Sequence, residues 1–296
     1  MAQLEGKIIK GIAGFYYVDA VDGNLYECKA KGVFRKEKIK PIIGDNVVID
    51  VIDEAEFSGN IVDVKPRKNK LIRPEVANID IALLVCALKN PDPNFLMLDK
   101  LLLHFKKQDI PVIMCFNKED IADEELIKKA VKTYENSGAK VIITSADKNQ
   151  GIDELKDLLV GKITSIAGPS GVGKSSIINL LQSNVKMETG IISKKLNRGK
   201  HTTRHSEIIR IDKDTLIIDT PGFTSIDVFD IEYDELAQYY DEFHEYSQCY
   251  FTPCSHTHEP KCGVKDAVAD GSICEVRYSN YKKIYEELKI KSSIYR

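Results

Sequence analysis

The sequence has no apolar run of the roughly 18–20 residues that a membrane-spanning helix needs. Residues 1–6 lack the basic stretch followed by an apolar one that marks a secretory signal. A cytoplasmic protein with no membrane partner is therefore expected. The cysteine count is seven, an odd number, and without a signal segment it argues against a disulfide framework. A large net charge is also missing. Lys and Arg number 42 against 45 Asp and Glu, leaving −3, so overall charge neither favours nor excludes nucleic acid and local clustering has to decide. No repeat or low-complexity segment is found. What is present is an ordinary globular composition, 296 residues with 43% hydrophobic and 29% charged. That suffices for more than one domain of the common ~100–150 residues.

Residues 7–13, 15–19, 24–30, 47–52 and 61–64 read as short strands separated by Gly, Asp and Asn turn signals. Such spacing suits a five-stranded OB-type barrel, although periodicity does not separate it from an SH3-like one. After Pro74 the pattern changes. Residues 79–87 form a continuous apolar run, as a strand buried on both faces requires. Helical spacing at 95–108 follows, with Leu98, Leu101, Leu102 and Phe105 on one face. Strands at 112–116, 140–144 and 163–167 then alternate with helices near 124–136, 152–159 and 174–182. This predicts an α/β domain with a mostly parallel sheet and helices on both faces. Residues 208–211 and 216–219 read as a hairpin adding an antiparallel strand. From about residue 230 tyrosines and acids dominate, and an amphipathic helix near 276–289 closes the chain. The expected division is 1–72, 73–228 and 229–296.

The run Gly168-Pro169-Ser170-Gly171-Val172-Gly173-Lys174-Ser175, followed by Ser176, matches G-x-x-x-x-G-K-[ST] between a strand and a helix, the setting this phosphate loop requires. Its glycines let backbone N–H groups face phosphate oxygens, and the helix N-terminus adds a positive dipole end. Lys174 is expected on the β- and γ-phosphates and the Ser175 hydroxyl on Mg²⁺. The base is chosen elsewhere. Asn117-Lys118-Glu119-Asp120 resembles the N-K-x-D motif, in which the Asp accepts from guanine N1 and N2, donors that adenine lacks. The Asn supports the base on its other edge and the Lys stem packs over the ring. Ser145-Ala146 after the next strand resembles the second guanine loop, where a backbone N–H meets the guanine carbonyl. Both loops sit at carboxyl ends of strands, where open α/β sheets bind ligands. GTP or GDP with Mg²⁺ is therefore the expected cofactor set.

Asp219-Thr220-Pro221-Gly222 resembles D-x-x-G, with Asp219 holding Mg²⁺ through water and the Gly222 N–H on the γ-phosphate. Of Thr202 and Thr203, Thr203 is favoured as the switch threonine on Mg²⁺. Phe223 stands where many GTPases carry the Gln that orients the attacking water. An apolar ring cannot do that, so hydrolysis by the protein alone is expected to be slow. His201 is a candidate to position water, with His205 as its rival. The motif order is circularly rotated: the guanine loops precede the phosphate loop, and the second switch leads straight into the C-terminal segment.

In that segment Cys249-x4-Cys254-x-His256-x5-Cys262 offers three thiolates and one imidazole, a set that binds Zn²⁺ tetrahedrally as a closed, structural site. His258 and Cys274 are rival ligands. Large apolar residues are few nearby, so metal is expected to stand in for a core. Basic clusters occur at Lys29, Lys31, Arg35, Lys36, Lys38 and Lys40, at Lys65, Arg67, Lys68, Lys70 and Arg73, and at Lys194, Lys195, Arg198, Lys200, Arg204 and Arg210. Beside a barrel and a zinc module these point to phosphate-backbone contacts.

The permuted order, the N-terminal barrel and the Cys₃His spacing together resemble the ribosome small-subunit-dependent GTPase A (RsgA, YjeQ/YloQ) family over nearly the whole chain. That resemblance implies a monomeric bacterial GTPase acting late in small ribosomal subunit assembly. It implies contacts to rRNA, hydrolysis stimulated by the subunit, and zinc ligands at Cys249, Cys254, His256 and Cys262. An apolar residue after D-T-P-G is also usual in that family, in keeping with Phe223.

Overall fold

The computed structural model describes residues 2–32, 34, 39–71, 75–186, 207–212, 214–219 and 231–294. Five strands, β1 (Gln3–Ile12), β2 (Phe15–Ala20), β3 (Leu25–Ala30), β4 (Asn46–Asp53) and β5 (Ser58–Val64), form a closed barrel in the order β1-β2-β3-β5-β4. All pairs are antiparallel except β3 with β5, where Glu27 lies opposite Ser58 and Ala30 opposite Ile61. This parallel pair resolves what periodicity leaves open: it closes the strands in the OB manner. Alternation in β4 turns Val47, Ile49 and Val51 inward, onto Ile8, Val18, Cys28 and Ile61. A charged pair is built into the barrel's base. Asp45 is fully buried and accepts from Arg67 Nε at 2.7 Å, Arg67 Nη2 at 2.8 Å and the Ile42 N–H at 2.8 Å.

Two short strands follow, β6 (Lys70–Leu71) and β7 (Val76–Ala77), paired antiparallel. A six-stranded sheet then runs in the order β10-β9-β8-β11-β13-β12, comprising β8 (Ile81–Ala87), β9 (Val112–Asn117), β10 (Lys140–Ile143), β11 (Ile163–Ala167), β12 (Glu207–Arg210) and β13 (Leu216–Asp219). β8, β9 and β10 are parallel, and β12 and β13 are the antiparallel hairpin. Every residue of β8 and β9 is buried, as their unbroken apolar runs require.

Among the described residues the α-helices are α1 (Phe95–Lys106), α2 (Glu124–Tyr134), α3 (Ile152–Leu159), α4 (Lys174–Lys186), α5 (Asp241–His244), α6 (Gly263–Ala269) and α7 (Glu275–Ile294). α1 starts where Asn94 accepts the Met97 N–H at 3.0 Å, and α2 where Asp123 accepts the Leu126 N–H at 3.0 Å, each an N-cap. α1 packs on β8 and β9, and α7 packs on both α1 and α2.

The C-terminal helices correct one expectation. They do have a core, made largely of aromatic rings: Tyr240, Phe243, Tyr278, Tyr281 and Tyr285 join Leu236, Val264, Ile273 and Ile284. Tyr278, Tyr281 and Tyr285 recur at helical spacing on one face of α7. Their hydroxyls are polar handles, so hydropathy undervalues rings that bury large apolar areas. No helix among the described residues is long and apolar enough to cross a membrane.

Candidate functional site

The phosphate loop fills the turn between β11 and α4. Gly168 has φ +140°, and a Cβ there would stand 2.0 Å from the Val85 carbonyl oxygen of β8. Gly173 has φ +101°, and its Cβ would stand 2.2 Å from Asn117 Nδ2. Only glycine fits either position. Val172 is buried, whereas Ser175 and Ser176 are exposed at the start of α4. The Lys174 ammonium donates to the carbonyls of Gly168 (2.8 Å) and Pro169 (2.6 Å), which holds it over the mouth of its own loop.

Asn117, 1% exposed at the end of β9, joins three loops. Its Nδ2 donates to the Val172 carbonyl at 2.9 Å, and its Oδ1 accepts the Ala146 N–H at 3.0 Å and the Thr144 hydroxyl at 3.2 Å. The motif alone suggests that Asn117 supports the base directly. These bonds occupy Oδ1 and one Nδ2 hydrogen, so Asn117 ties the loops together and has a second amide hydrogen to donate to a base. Asp120 is exposed and accepts from the Ser145 hydroxyl at 2.5 Å, and that hydroxyl in turn accepts the Lys148 N–H at 3.1 Å. One Asp120 oxygen is thereby fixed, which orients the carboxylate. Lys118 leaves β9 in the left-handed region, φ +67°, and Glu119 begins a short 3₁₀ turn. Asn117, Lys118, Asp120, Ser145, Ala146 and the stretch 168–176 thus form one continuous rim.

The switch residues are a different matter. His201, Thr202, Thr203, His205, Gly222 and Phe223 lie outside the described residues, and of Asp219 only the backbone at the end of β13 is described.

The Cys₃His set is assembled by the loops around α5 and α6. The donor atoms of Cys249, Cys254, His256 and Cys262 all lie within 4.8 Å of one another. Cys249 Sγ is 3.7 Å from Cys262 Sγ and 3.4 Å from His256 Nδ1, which is 3.3 Å from Cys262 Sγ. Tetrahedral zinc, with Zn–S of about 2.3 Å and Zn–N of about 2.0–2.1 Å, spaces its donors roughly 3.4–3.8 Å apart. The residues fit the ion in both donor chemistry and spacing. Burial lowers the His256 pKa, leaving the neutral ring a metal needs. The rivals are elsewhere: Cys274 faces Thr133 Oγ1 at 3.9 Å, and His258 is exposed beside Thr257. Burial pushes the Cys28, Cys86 and Cys115 thiols up to about 12, so they are inert apolar fillers.

Three further residues shape this site and carry no motif. Burial pushes the Glu259 carboxyl up, but hydrogen bonds from the Ser255 hydroxyl (2.6 Å) and N–H (2.8 Å) more than offset that and hold it at about 2. The Tyr278 and Tyr281 hydroxyls donate to the His256 and Ser255 carbonyls at 2.9 and 2.7 Å. Together they hold the ligand loop in place.

Most of the described residues of the basic clusters are ion-paired. Lys31 meets Asp50 at 2.7 Å, Lys65 meets Glu5 at 2.5 Å and Lys68 meets Asp80 at 3.2 Å, while Lys40 pairs with Glu75 and Arg210 with Asp19. Lys29 sits over the Phe15 ring at 4.9 Å. Exposed pairs of this kind are weak and can exchange an acid for a phosphate. Arg67, locked on Asp45, is structural. Arg35, Lys36, Lys38, Arg73 and the cluster from Lys194 to Arg204 lie outside the described residues.

The sequence profile described as RsgA GTPase matches residues 64–229, and that of the RsgA N-terminal domain matches residues 5–59. A small ribosomal subunit biogenesis GTPase RsgA from Agathobacter rectalis is 54% identical over 97% of this chain and 98% of its own. The chain belongs to the RsgA GTPase family. The RsgA protein of Alkaliphilus metalliredigens is 44% identical over 96% of this chain and 98% of its own. Two solved structures agree. YjeQ from Thermotoga maritima has a TM-score of 0.82 at 36% identity, covering 97% of this chain and 99% of that one. YloQ, described as a circularly permuted GTPase, has a TM-score of 0.80 at 35% identity, covering 98% and 96%. The rotated motif order is thus an RsgA-family trait, and GTP hydrolysis with guanine nucleotide and Mg²⁺ comes with membership.

Proposed function

We propose that this protein is the small ribosomal subunit biogenesis GTPase of its cell. It acts as a cytoplasmic monomer that binds the assembling subunit and its rRNA and couples GTP hydrolysis to checking or release late in maturation. The observation that carries the guanine-nucleotide reading is Asn117, hydrogen-bonded at once to Val172 of the phosphate loop and Ala146 of the second base loop. The choice of partner is supported by the names of relatives that match almost end to end.

In this reading residues 73–228 bind and turn over GTP. Backbone N–H groups of 168–176 would cradle the phosphates, Lys174 would reach the β- and γ-phosphates, and Ser175, Thr203 and Asp219, the last through water, would hold the Mg²⁺ that neutralises them. The Gly222 N–H contacts the γ-phosphate and His201 positions water. Residues 1–72 contact RNA, and residues 229–296 hold one structural Zn²⁺ on Cys249, Cys254, His256 and Cys262.

Purified small subunits should raise GTP turnover at least about tenfold, well short of the 10³–10⁵ that a partner-supplied arginine gives other GTPases. Phosphate release measured with and without subunits decides this, with Lys174→Ala as the inactive control. A second reading, an RNA-binding module with GTP as a static ligand, rests on Phe223. It predicts no stimulation, and a Lys174→Ala protein that still supports assembly.

For the metal, elemental analysis should find one zinc per chain, and none in Cys262→Ala. Losing the ion should also loosen the tyrosine core and lower Tm by at least about 4 °C, the shift expected for even a few kcal/mol in a chain of this size. Full zinc content in Cys262→Ala would remove that residue from the ligand set.

A further inference from the structure

We infer that the turn between β8 and α1 is a third wall of the guanine site, and that Asn90 within it is a positioning residue for Lys118. The inference rests on the guanine-nucleotide reading above and assigns to that site a residue that no nucleotide motif contains.

β8 and β9 end side by side. Ala87 is opposite Asn117, and the Leu88 N–H donates to the Asn117 carbonyl at 2.9 Å. Just beyond those ends both chains enter the left-handed region, Asn90 at φ +51° and Lys118 at φ +67°. The result is a direct contact: Lys118 Nζ donates to the Asn90 carbonyl oxygen. The same turn reaches the phosphate loop, since the Pro91 ring lies 4.0 Å from where a Cβ on Gly171 would stand. One short turn therefore abuts both the base loop and the phosphate loop.

Packing does not account for this geometry, because Lys89, Asn90 and Pro91 are all exposed. An exposed non-glycine residue in a sparsely populated backbone region is the kind of local strain that collects at ligand sites. The chemistry gives it a purpose. A lysine stem can lie over a base only if its rotamer-rich chain is held at the far end, and anchoring it beforehand removes an ordering cost from binding. A backbone carbonyl does this without competing for the nucleotide's phosphates. The carbonyl's direction depends on φ at position 90. Asn and Gly tolerate that φ, and β-branched residues do not. Asn90 should therefore act on the base-dependent part of affinity and leave the phosphate-dependent part alone.

The test is a double-mutant cycle on the full-length protein, read as the Kd for GDP and as competition by inorganic triphosphate. Asn90→Val should weaken GDP about tenfold, and Asn90→Gly should stay within about threefold of wild type because it keeps the backbone conformation. Lys118→Ala should weaken GDP at least as much as Asn90→Val. The double variant should be no worse than Lys118→Ala alone, the non-additivity expected of two residues acting through one contact. Inorganic triphosphate should compete equally in all five proteins. Asn90→Ala serves in place of Asn90→Val if the valine protein does not fold. Additive losses, or equal losses for GDP and inorganic triphosphate, would overturn the role of Asn90. A wild-type protein without GDP affinity would overturn the nucleotide reading itself.

Discussion

Arg277→Met is expected to lower the stability of the C-terminal helices by about 3–5 kcal/mol, the cost of breaking a buried ion pair from one side. Arg277 is 1% exposed and joins α7 to two other elements. Its Nη1 donates to Asp99 of α1 at 2.5 Å, its Nε to Glu242 of α5 at 2.7 Å, and its guanidinium lies 4.4 Å over the Tyr240 ring. Burial works against its charge, but the facing Asp99 and Glu242 carboxylates hold its pKa well above the ordinary value. Methionine keeps most of the volume and removes the charge. It leaves Asp99 with Asn280 (2.7 Å) and strands Glu242. Urea unfolding of wild type and variant measures the loss, and a loss below about 1 kcal/mol would mean that water replaces the guanidinium without penalty. Changing Asp99 and Glu242 to apolar residues as well should recover much of it, because an entire buried ionic cluster is often replaceable by packing.

Asp120→Asn should exchange the base. In the proposed site guanine would present two donors to the Asp120 carboxylate. Xanthine has a carbonyl where guanine has its amino group, so it suits an amide. The Ser145 hydroxyl, 2.5 Å from Asp120 Oδ1, has an equivalent acceptor in Asn and keeps the side chain aimed. Two charge-assisted hydrogen bonds of about 1.5–3 kcal/mol each are at stake, so GDP should weaken on the order of 10²-fold or more while xanthosine diphosphate tightens. Titrating both nucleotides against both proteins decides it. An unchanged GDP affinity would remove Asp120 from base recognition.

What could be read from residues alone divides along physical lines. The phosphate loop, the two base loops and the Cys₃His set are short-range patterns in which spacing itself encodes geometry, and each was legible. So were β8 and β9, because a strand buried on both faces has no choice but to be continuously apolar. The barrel was legible as five strands, but its closure was not, since the parallel pairing of Glu27 with Ser58 is a long-range choice with no local mark. The aromatic core under the metal loop was missed because tyrosine scores as nearly polar by hydropathy while burying a large ring. The Arg277 cluster was invisible for a stronger reason. Its members come from positions 99, 242 and 277, none has a characteristic neighbour, and a lone Arg on an amphipathic helix reads as solvated. Asn90 was illegible because its contribution is a backbone angle.

The distance between Asp99 and its partner, 178 positions along the chain, also sets a clock. A chain made from its N-terminus at about 5–20 residues per second carries Asp99 without its guanidinium for roughly 10–35 s. Through that interval the helix that buttresses β8 and β9 has an acid facing the place where its core will later be. α1 and α2 therefore gain the helix that packs on them, and Asp99 its guanidinium, only after α7 has been made.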